Sequence, residues 1–401
     1  MKFSLQVILA ALVAIGLVIA GCTTPGTSPE NEVSIIYTRG TGPMPTLLAT
    51  DQIDGYIAWQ PFVEVAPLAG IGKVLVYSGD LPPEGKWENH PCCVFAARQD
   101  AIENNPDLTN ALTAALVLST RYIEENPDES AEIVADWLAG KGNFTYGDIS
   151  VSSVEVLKRA FPTVRFVNDP TDEWKIDQLE FVYAQRELGL LTGSLLNSTD
   201  QESLDLLFDS SPYDAAAAMI ASGAITTPPA NARQVGVGYL LSDHHAALFV
   251  AVKNWQYFEE TYGIAIKPRD LTASRPEIAD LVVNGQPVAE LKLISADAGP
   301  QLMQLAATNT VAYALVGNPP AIAAIDKNTP IKIIMAVNLE GSGVVIADDA
   351  PADDWESFVE WAKSRSAQGK PVIIAAPGKG SIQDVLIRSA LEESGLSVRE
   401  G

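Results

Sequence analysis

The chain has 401 residues, 47% of them hydrophobic, and carries 50 acidic against 26 basic side chains for a formal net charge of −24. That length and apolar content allow two lobes with real cores, while the charge excludes nucleic acid and anionic lipid as partners, because both would be repelled. Of the three cysteines two are adjacent, so no disulfide framework is possible, and without CxxC or HExxH spacing no metal site and no cofactor is expected.

The first 22 residues read as an export signal: Met1-Lys2, an apolar run over 5–19, then Ile19-Ala20-Gly21-Cys22. An uncleaved membrane helix, which takes about twenty residues, is the alternative to a cleaved signal. Small residues ahead of a single cysteine resemble the lipobox of secreted lipoproteins. That resemblance implies a diacylglyceryl group on Cys22 and an extracytoplasmic chain held to the membrane by it. Residues 23–32, polar and rich in Pro and Gly, are expected to form a flexible tether.

From residue 33 the pattern is strand 33–37, helix 44–51 and strand 55–59, the last running into Gln60-Pro61-Phe62; further strands follow at 73–77 and 92–97. After Asn105-Pro106 the character turns helical, over 106–125, 127–139, 152–160 and 171–189. Residues 33–193 are therefore expected to form one lobe. Asn143-Phe144-Thr145 and Asn197-Ser198-Thr199 are glycosylation sequons, weak signals on their own. Residues 194–232 end in Thr226-Thr227-Pro228-Pro229 and are expected to be a linker.

An α/β pattern restarts over 233–401, the second expected lobe. Its elements are a strand at 234–240, a helix over 243–262, a loop or small excursion at 267–287, and a strand at 289–294. A strand, turn and helix start follow at 311–322, then strands at 332–337 and 344–347, a helix from Asp353, a strand at 371–375 and a helix from Ser381. In the 311–322 unit, Val311-Ala312-Tyr313-Ala314-Leu315-Val316 suits a parallel strand covered on both faces. Gly317-Asn318-Pro319 then breaks the strand and aims the free N–H groups of the next helix outward, at the sheet edge where ligands of open α/β folds bind.

This unit occurs twice. Residues 43–50 and on to Pro61 match 300–308 and on to Pro319: Gly-Pro, a Leu-rich helix ending in Ala-Thr, a Tyr-containing strand, then Pro, with eleven residues from Thr to Pro in both copies. Two segments sharing one plan suggest two similar lobes facing a cleft.

These residues resemble a known family, the extracytoplasmic solute-binding proteins of ABC importers of the nitrate, sulfonate and taurine class. Residues 233–401 resemble its first lobe, through Gly236 and Tyr239, Ser295-Ala296-Asp297-Ala298-Gly299-Pro300, Val316-Gly317-Asn318-Pro319, Asn338-Leu339-Glu340-Gly341-Ser342 and Pro377-Gly378-Lys379-Gly380-Ser381. Residues 33–190 resemble its second lobe, through Asp54-Gly55, Trp59-Gln60-Pro61-Phe62 and Asn104-Asn105-Pro106-Asp107. The resemblance implies a two-lobed, type 2 periplasmic-binding-protein-like α/β fold. It further implies a small-molecule solute held in the cleft, an ABC permease with its ATPase subunits as partners, and no chemical step. Carried over by motif, the implied ligand contacts are Ser242, Asp243, His244, His245, Asp297, Gly299, Gly317, Asn318, Glu340, Gly341, Ser342, Gly380 and Ser381, with Trp59, Gln60 and His90 from the other lobe.

The lobes stand in reversed order relative to that family, as in a circular permutant whose old ends are closed by 194–232; a chain cut from a tandem duplication, or an incorrect gene model, would look the same. Several residues have plainer readings. Trp59 is as readily core as ligand platform, and His244 and His245 as readily cap the helix that begins near Asp243. Adjacent histidines on a helix diverge, which argues against joint metal binding. His90-Pro91-Cys92-Cys93 suits a soft metal less well than buried packing. No Arg falls in the motifs, which leaves a neutral or zwitterionic solute open beside an anionic one. Two rival classes remain: an enzyme like the thiamine-pyrimidine synthases, which the lipobox opposes, and a ligand-sensing module or a non-functional fragment of a duplicated binding protein.

Overall fold

A computed structural model describes residues 31–140, 142–230 and 234–401. The expected signal, the Cys22 lipidation site and nearly all of the tether lie outside the described residues. Two mixed sheets organise the rest, as expected for an α/β chain and consistent with the type 2 binding-protein fold. A six-stranded sheet runs, in spatial order, Ser397–Glu400, Glu32–Tyr37, Val372–Ala376, Gly55–Trp59, Ser342–Ala347 and Gly72–Tyr77. An eight-stranded sheet runs Val164–Phe166, Ile331–Glu340, Pro91–Arg98, Tyr313–Gly317, Val235–Leu240, Gln286–Ala296, Ile278–Val283 and Ile264–Pro268.

The division of the chain at 194–232 does not divide the lobes, and the expectation of one lobe from 33–193 and another from 233–401 is corrected. Residues 32–77 and 342–400 build the six-stranded sheet, whereas strands between 91 and 340 build the eight-stranded one. The cause is the demand of buried strands for neighbours on both edges. Gly55–Trp59, buried at every residue, takes Val372–Ala376 on one side in parallel and Ser342–Ala347 on the other in antiparallel register. Two connections join the lobes among the described residues: 78–90, and the single residue Gly341 between Ile331–Glu340 and Ser342–Ala347. Both ends of the folded body share one sheet edge, since Val33 pairs in parallel with Val398 and Gly401 N donates to Ile35 O at 2.9 Å.

Three further expectations change. Residues 194–232 are not a bare linker, because they hold the helices Asp200–Leu207 and Ser211–Ser222, with Leu195 and Leu207 buried. Thr199 caps the first of these in a reciprocal box with Glu202. The buried carboxylate of Asp326 anchors the approach to them, accepting from the N–H groups of Thr192, Gly193 and Leu195 at 2.8–2.9 Å. The 267–287 segment is not all loop: Ile278–Val283 and Gln286–Ala296 form a hairpin about Asn284 and Gly285, both at positive φ. The helix expected over 243–262 is a single 3₁₀ turn, Asp243–His245, followed by Ala246–Lys253 and, after a break at Asn254, Trp255–Tyr262. The helix Phe62–Ala69 and the hairpin Asn143–Tyr146 with Ile149–Ser152 had no sequence-level counterpart.

The repeated unit is visible, one copy per sheet. Gly55–Trp59 follows the helix Met44–Ala49, and Tyr313–Gly317 follows the helix Gly299–Ala307, each strand lying inside its own sheet.

Candidate functional site

The C-terminal ends of those two strands meet across the boundary between the lobes. Trp59 and Gly317 line one cavity, with Ser381, Ile382 and Gln383 added from the six-stranded lobe. From the eight-stranded lobe come Ser242, His244 and His245, which follow Val235–Leu240, then Leu240 itself, Cys93, Gly299 and Pro320. The space open to the centre of a water molecule is about 20 Å³, room for one or two waters or a solute of a few heavy atoms.

Three helices start at this cavity: Gly299–Ala307, Asn318–Asp326 and Ile382–Glu393. Each brings a partial positive charge to its first turn, but Pro300, Pro319 and Pro320 carry no N–H, so the third helix offers the fuller set of backbone donors. Ser381 caps the third, its Oγ accepting from Asp384 N at 3.2 Å. His245 adds a directed donor. Its Nδ1 accepts from Leu240 N at 2.8 Å, so the proton sits on Nε2, which has no protein partner among the described residues. Burial, followed by the neighbouring His244 charge, pushes His245 down to about 3, keeping it neutral. Asn318, fully buried at the start of its helix, likewise has neither side-chain atom hydrogen-bonded among the described residues.

The lobes are tied together beside the cavity. Ser242 Oγ donates to Gln60 O at 2.8 Å and accepts from His244 N at 3.2 Å. Trp59 Nε1 donates to Leu241 O at 3.3 Å. The carbonyl of Gly341, in the connection between the sheets, accepts from Gln60 N at 2.8 Å and from His244 Nε2 at 2.7 Å. Behind the wall, Cys92 and Cys93 approach His244 Nδ1 at 3.4 and 3.6 Å. Burial opposes a charge on His244, but the Cys92 thiolate and its hydrogen bond hold it up at about 9. Burial likewise opposes a Cys92 thiolate, yet the Cys93 hydrogen bond and the His244 charge bring that thiol well below its ordinary value, while burial pushes Cys93 up. Burial also raises the Asp243 carboxyl to about 7. Among the described residues Cys92, Cys93 and His244 are the group with donor atoms close enough to hold a metal ion.

Of the residues singled out from the sequence, Trp59, Ser242, His244, His245, Gly299, Gly317 and Ser381 line the cavity. Others stand near it in supporting positions. Asp243 is buried beside His244, and Ser342 Oγ accepts from Gln383 Nε2 at 2.8 Å. Gln60 spends its side chain on Glu64 and Thr163. Glu340 accepts from Asn89 N at 2.6 Å and Gly380 N donates to Asp384 Oδ2, so both serve the connections around the cleft. Two lie apart from the wall: Asp297 is exposed, and His90 is a core side chain, bonded to Ser78 Oγ and edge-on to Trp87 and Phe181. Cys93, Gln383, Ile382, Leu240 and Pro320 were missed. The helix start after Ser381 pointed towards Ile382 and Gln383, whereas nothing in the strand pattern marked Cys93.

The model of the NMT1-like family matches residues 12–139 and 228–400, about three-quarters of the chain. The chain belongs to the NMT1-like family. Among curated relatives of this NMT1-like protein, an uncharacterised protein of Methanocaldococcus jannaschii is 33% identical over 120 residues, which is 30% of this chain and 80% of that one. A nitrate/nitrite binding protein of Nostoc sp. is 27% identical over 139 residues, 31% of this chain and 30% of that relative, so less than a third of its length is spanned. No solved structure matches. The two matched pieces bracket residues 140–227, which hold the Ser153–Ala160, Asp172–Glu187, Asp200–Leu207 and Ser211–Ser222 helices.

Proposed function

We propose that this chain is the solute-binding component of an import system, and that it captures a small anion between its lobes. The observation that carries the reading is the convergence of three helix N-termini, from both lobes, on one interlobe cavity. His245 Nε2–H and the Ser381 hydroxyl add donors suited to an oxyanion, and among the described residues no Lys or Arg lines the wall. The small space favours an anion of nitrate or nitrite size over a sulfonate with a carbon chain, in keeping with the similarity to a nitrate/nitrite binding protein. Closure turns on the 78–90 and Gly341 connections, which buries the solute and presents a surface to an ABC permease and its ATPase. The Ile19-Ala20-Gly21-Cys22 motif supports anchoring outside the cytoplasm through a lipid on Cys22. The neighbouring Val33 and Val398 strands and the two-piece family match support a circularly permuted gene.

A second reading, an enzyme using an activated thiol, draws on the Cys92 to His244 contact. Cys92 does not line the cavity, so binding remains the stronger reading. Calorimetric titration with nitrate, nitrite, bicarbonate, taurine and an alkanesulfonate tests it. Saturable one-to-one binding of the small oxyanions is expected; binding of none of the five would overturn it.

A further inference from the structure

Consecutive side chains of a strand ordinarily point to opposite faces. Cys92 and Cys93 depart from that rule. Where their strand meets Ile331–Glu340 the pairing slips on both sides of the Cys93 to Asn338 register. Both sulfurs then lie against one imidazole nitrogen: Cys92 Sγ is 3.4 Å and Cys93 Sγ 3.6 Å from His244 Nδ1, and the sulfurs are 4.0 Å apart. A tetrahedral Zn²⁺ with Zn–S of about 2.3 Å and Zn–N of about 2.0–2.1 Å separates two sulfurs by about 3.8 Å and each sulfur from the nitrogen by about 3.6 Å. The observed triangle has those dimensions to within about 0.2 Å.

The surroundings fit as well. His244 Nε2 donates to Gly341 O at 2.7 Å, which fixes the ring and leaves Nδ1 as the ligating nitrogen, the usual outer-shell arrangement for a metal-bound histidine. All three side chains are buried, and Asp243, also buried, has Oδ1 4.0 Å from the imidazole. Cys93 and His244 line the interlobe cavity, so an ion held here sits in its wall.

We propose that Cys92, Cys93 and His244 bind a thiophilic divalent cation of the Zn²⁺ class, whose fourth coordination position takes an oxygen of the solute. Binding displaces two protons, one from the Cys93 thiol and one shared by Cys92 and His244, so the charge of the site is unchanged while a Lewis acid is placed at the cavity. The ion supplies the cationic partner that the wall lacks. The solute contact rests on the anion-binding reading above; the metal site does not.

The test is titration of the reduced full-length chain with Co²⁺, followed by Zn²⁺. One equivalent of Co²⁺ with sulfur-to-cobalt charge-transfer absorption, displaced by Zn²⁺, is the expected result. The band should persist in Cys22→Ser and vanish in Cys92→Ser and Cys93→Ser. No band in the wild type, or a band that follows Cys22 instead, overturns the site. The zinc content of the wild type after gel filtration provides a readout independent of variant folding: one equivalent should stay with the chain, and none retained counts against the site. Repeating the nitrate and nitrite titrations with Zn²⁺ bound should tighten binding about tenfold or more through ion–anion attraction. Unchanged affinity removes the solute contact, whereas no anion binding alongside a normal cobalt band removes the anion reading and leaves the metal site standing.

Discussion

Gly341 is where one residue does the most. It links the two sheets at φ +85, and its carbonyl holds both Gln60 and His244. A Cβ there would press on His244 Nε2. Gly341→Ala is therefore expected to destabilise the fold by about 2 kcal/mol or more, read as a lower urea midpoint at unchanged slope. Ser381→Ala removes a helix cap and a cavity hydroxyl together; it should cost about 1 kcal/mol of stability and weaken oxyanion binding in the same calorimetric titration. At this scale the sequence was informative where strands end in loops. Ser242, His245, Gly317 and Ser381 were marked by that position, and the structure brings them to one wall. His90 was not legible: its ring packs against Trp87 and Phe181, partners 3 and 91 residues away that no local pattern reveals. Cys93 was hidden for a related reason, since a register slip against a strand some 240 residues later turns it towards His244.

Among elements, the C-terminal strand and the 190–195 segment show how distant pieces are held. Asp326 satisfies three backbone N–H groups of 192–195, so Asp326→Ala leaves buried donors unpaired and is expected to cost about 3 kcal/mol in the urea midpoint. Ser397–Glu400 is pinned by Glu400, which accepts from Lys379 and from Arg388 at 2.7 Å. The Lys379 hydrogen bond, with further help from Arg388, holds Glu400 below its ordinary value. Its contribution is therefore complete above the ordinary glutamate range near 4.5 and is lost as pH falls through the lower folded value. Glu400→Gln should lower the midpoint at pH 7, and the gap to wild type should close towards pH 3. Helices with Pro or Ser/Thr starts, such as Pro106–Glu125 and Pro127–Ala139, were readable because their signals are local. The hairpin at 278–296 carried a readable signal as well, Asn284-Gly285 after Val282-Val283, but its polar flanks made it look like a loop.

At the level of the whole molecule, repetition in the sequence pointed to two lobes, while their boundaries depended on strand pairing. The repeat copies at 43–61 and 300–319 fall in different sheets, yet the six-stranded sheet recruits strands from both ends of the chain while the eight-stranded one is built from its middle. The proposed permutation has a physical consequence. With Val33 and Val398 already side by side, a chain that joins Gly401 to Asn31 by a short linker and opens within 226–233 should fold with the same far-ultraviolet circular dichroism and unfold in one transition. A collapsed or two-step product would speak against it.

The most direct measurement is thermal unfolding of the intact chain with and without nitrate or nitrite at a hundredfold excess over its dissociation constant. One transition, stabilised by about 2.7 kcal/mol on adding the anion, is expected of two lobes sharing a ligand. Two separate transitions, neither moved by any small oxyanion, would contradict a single working cleft.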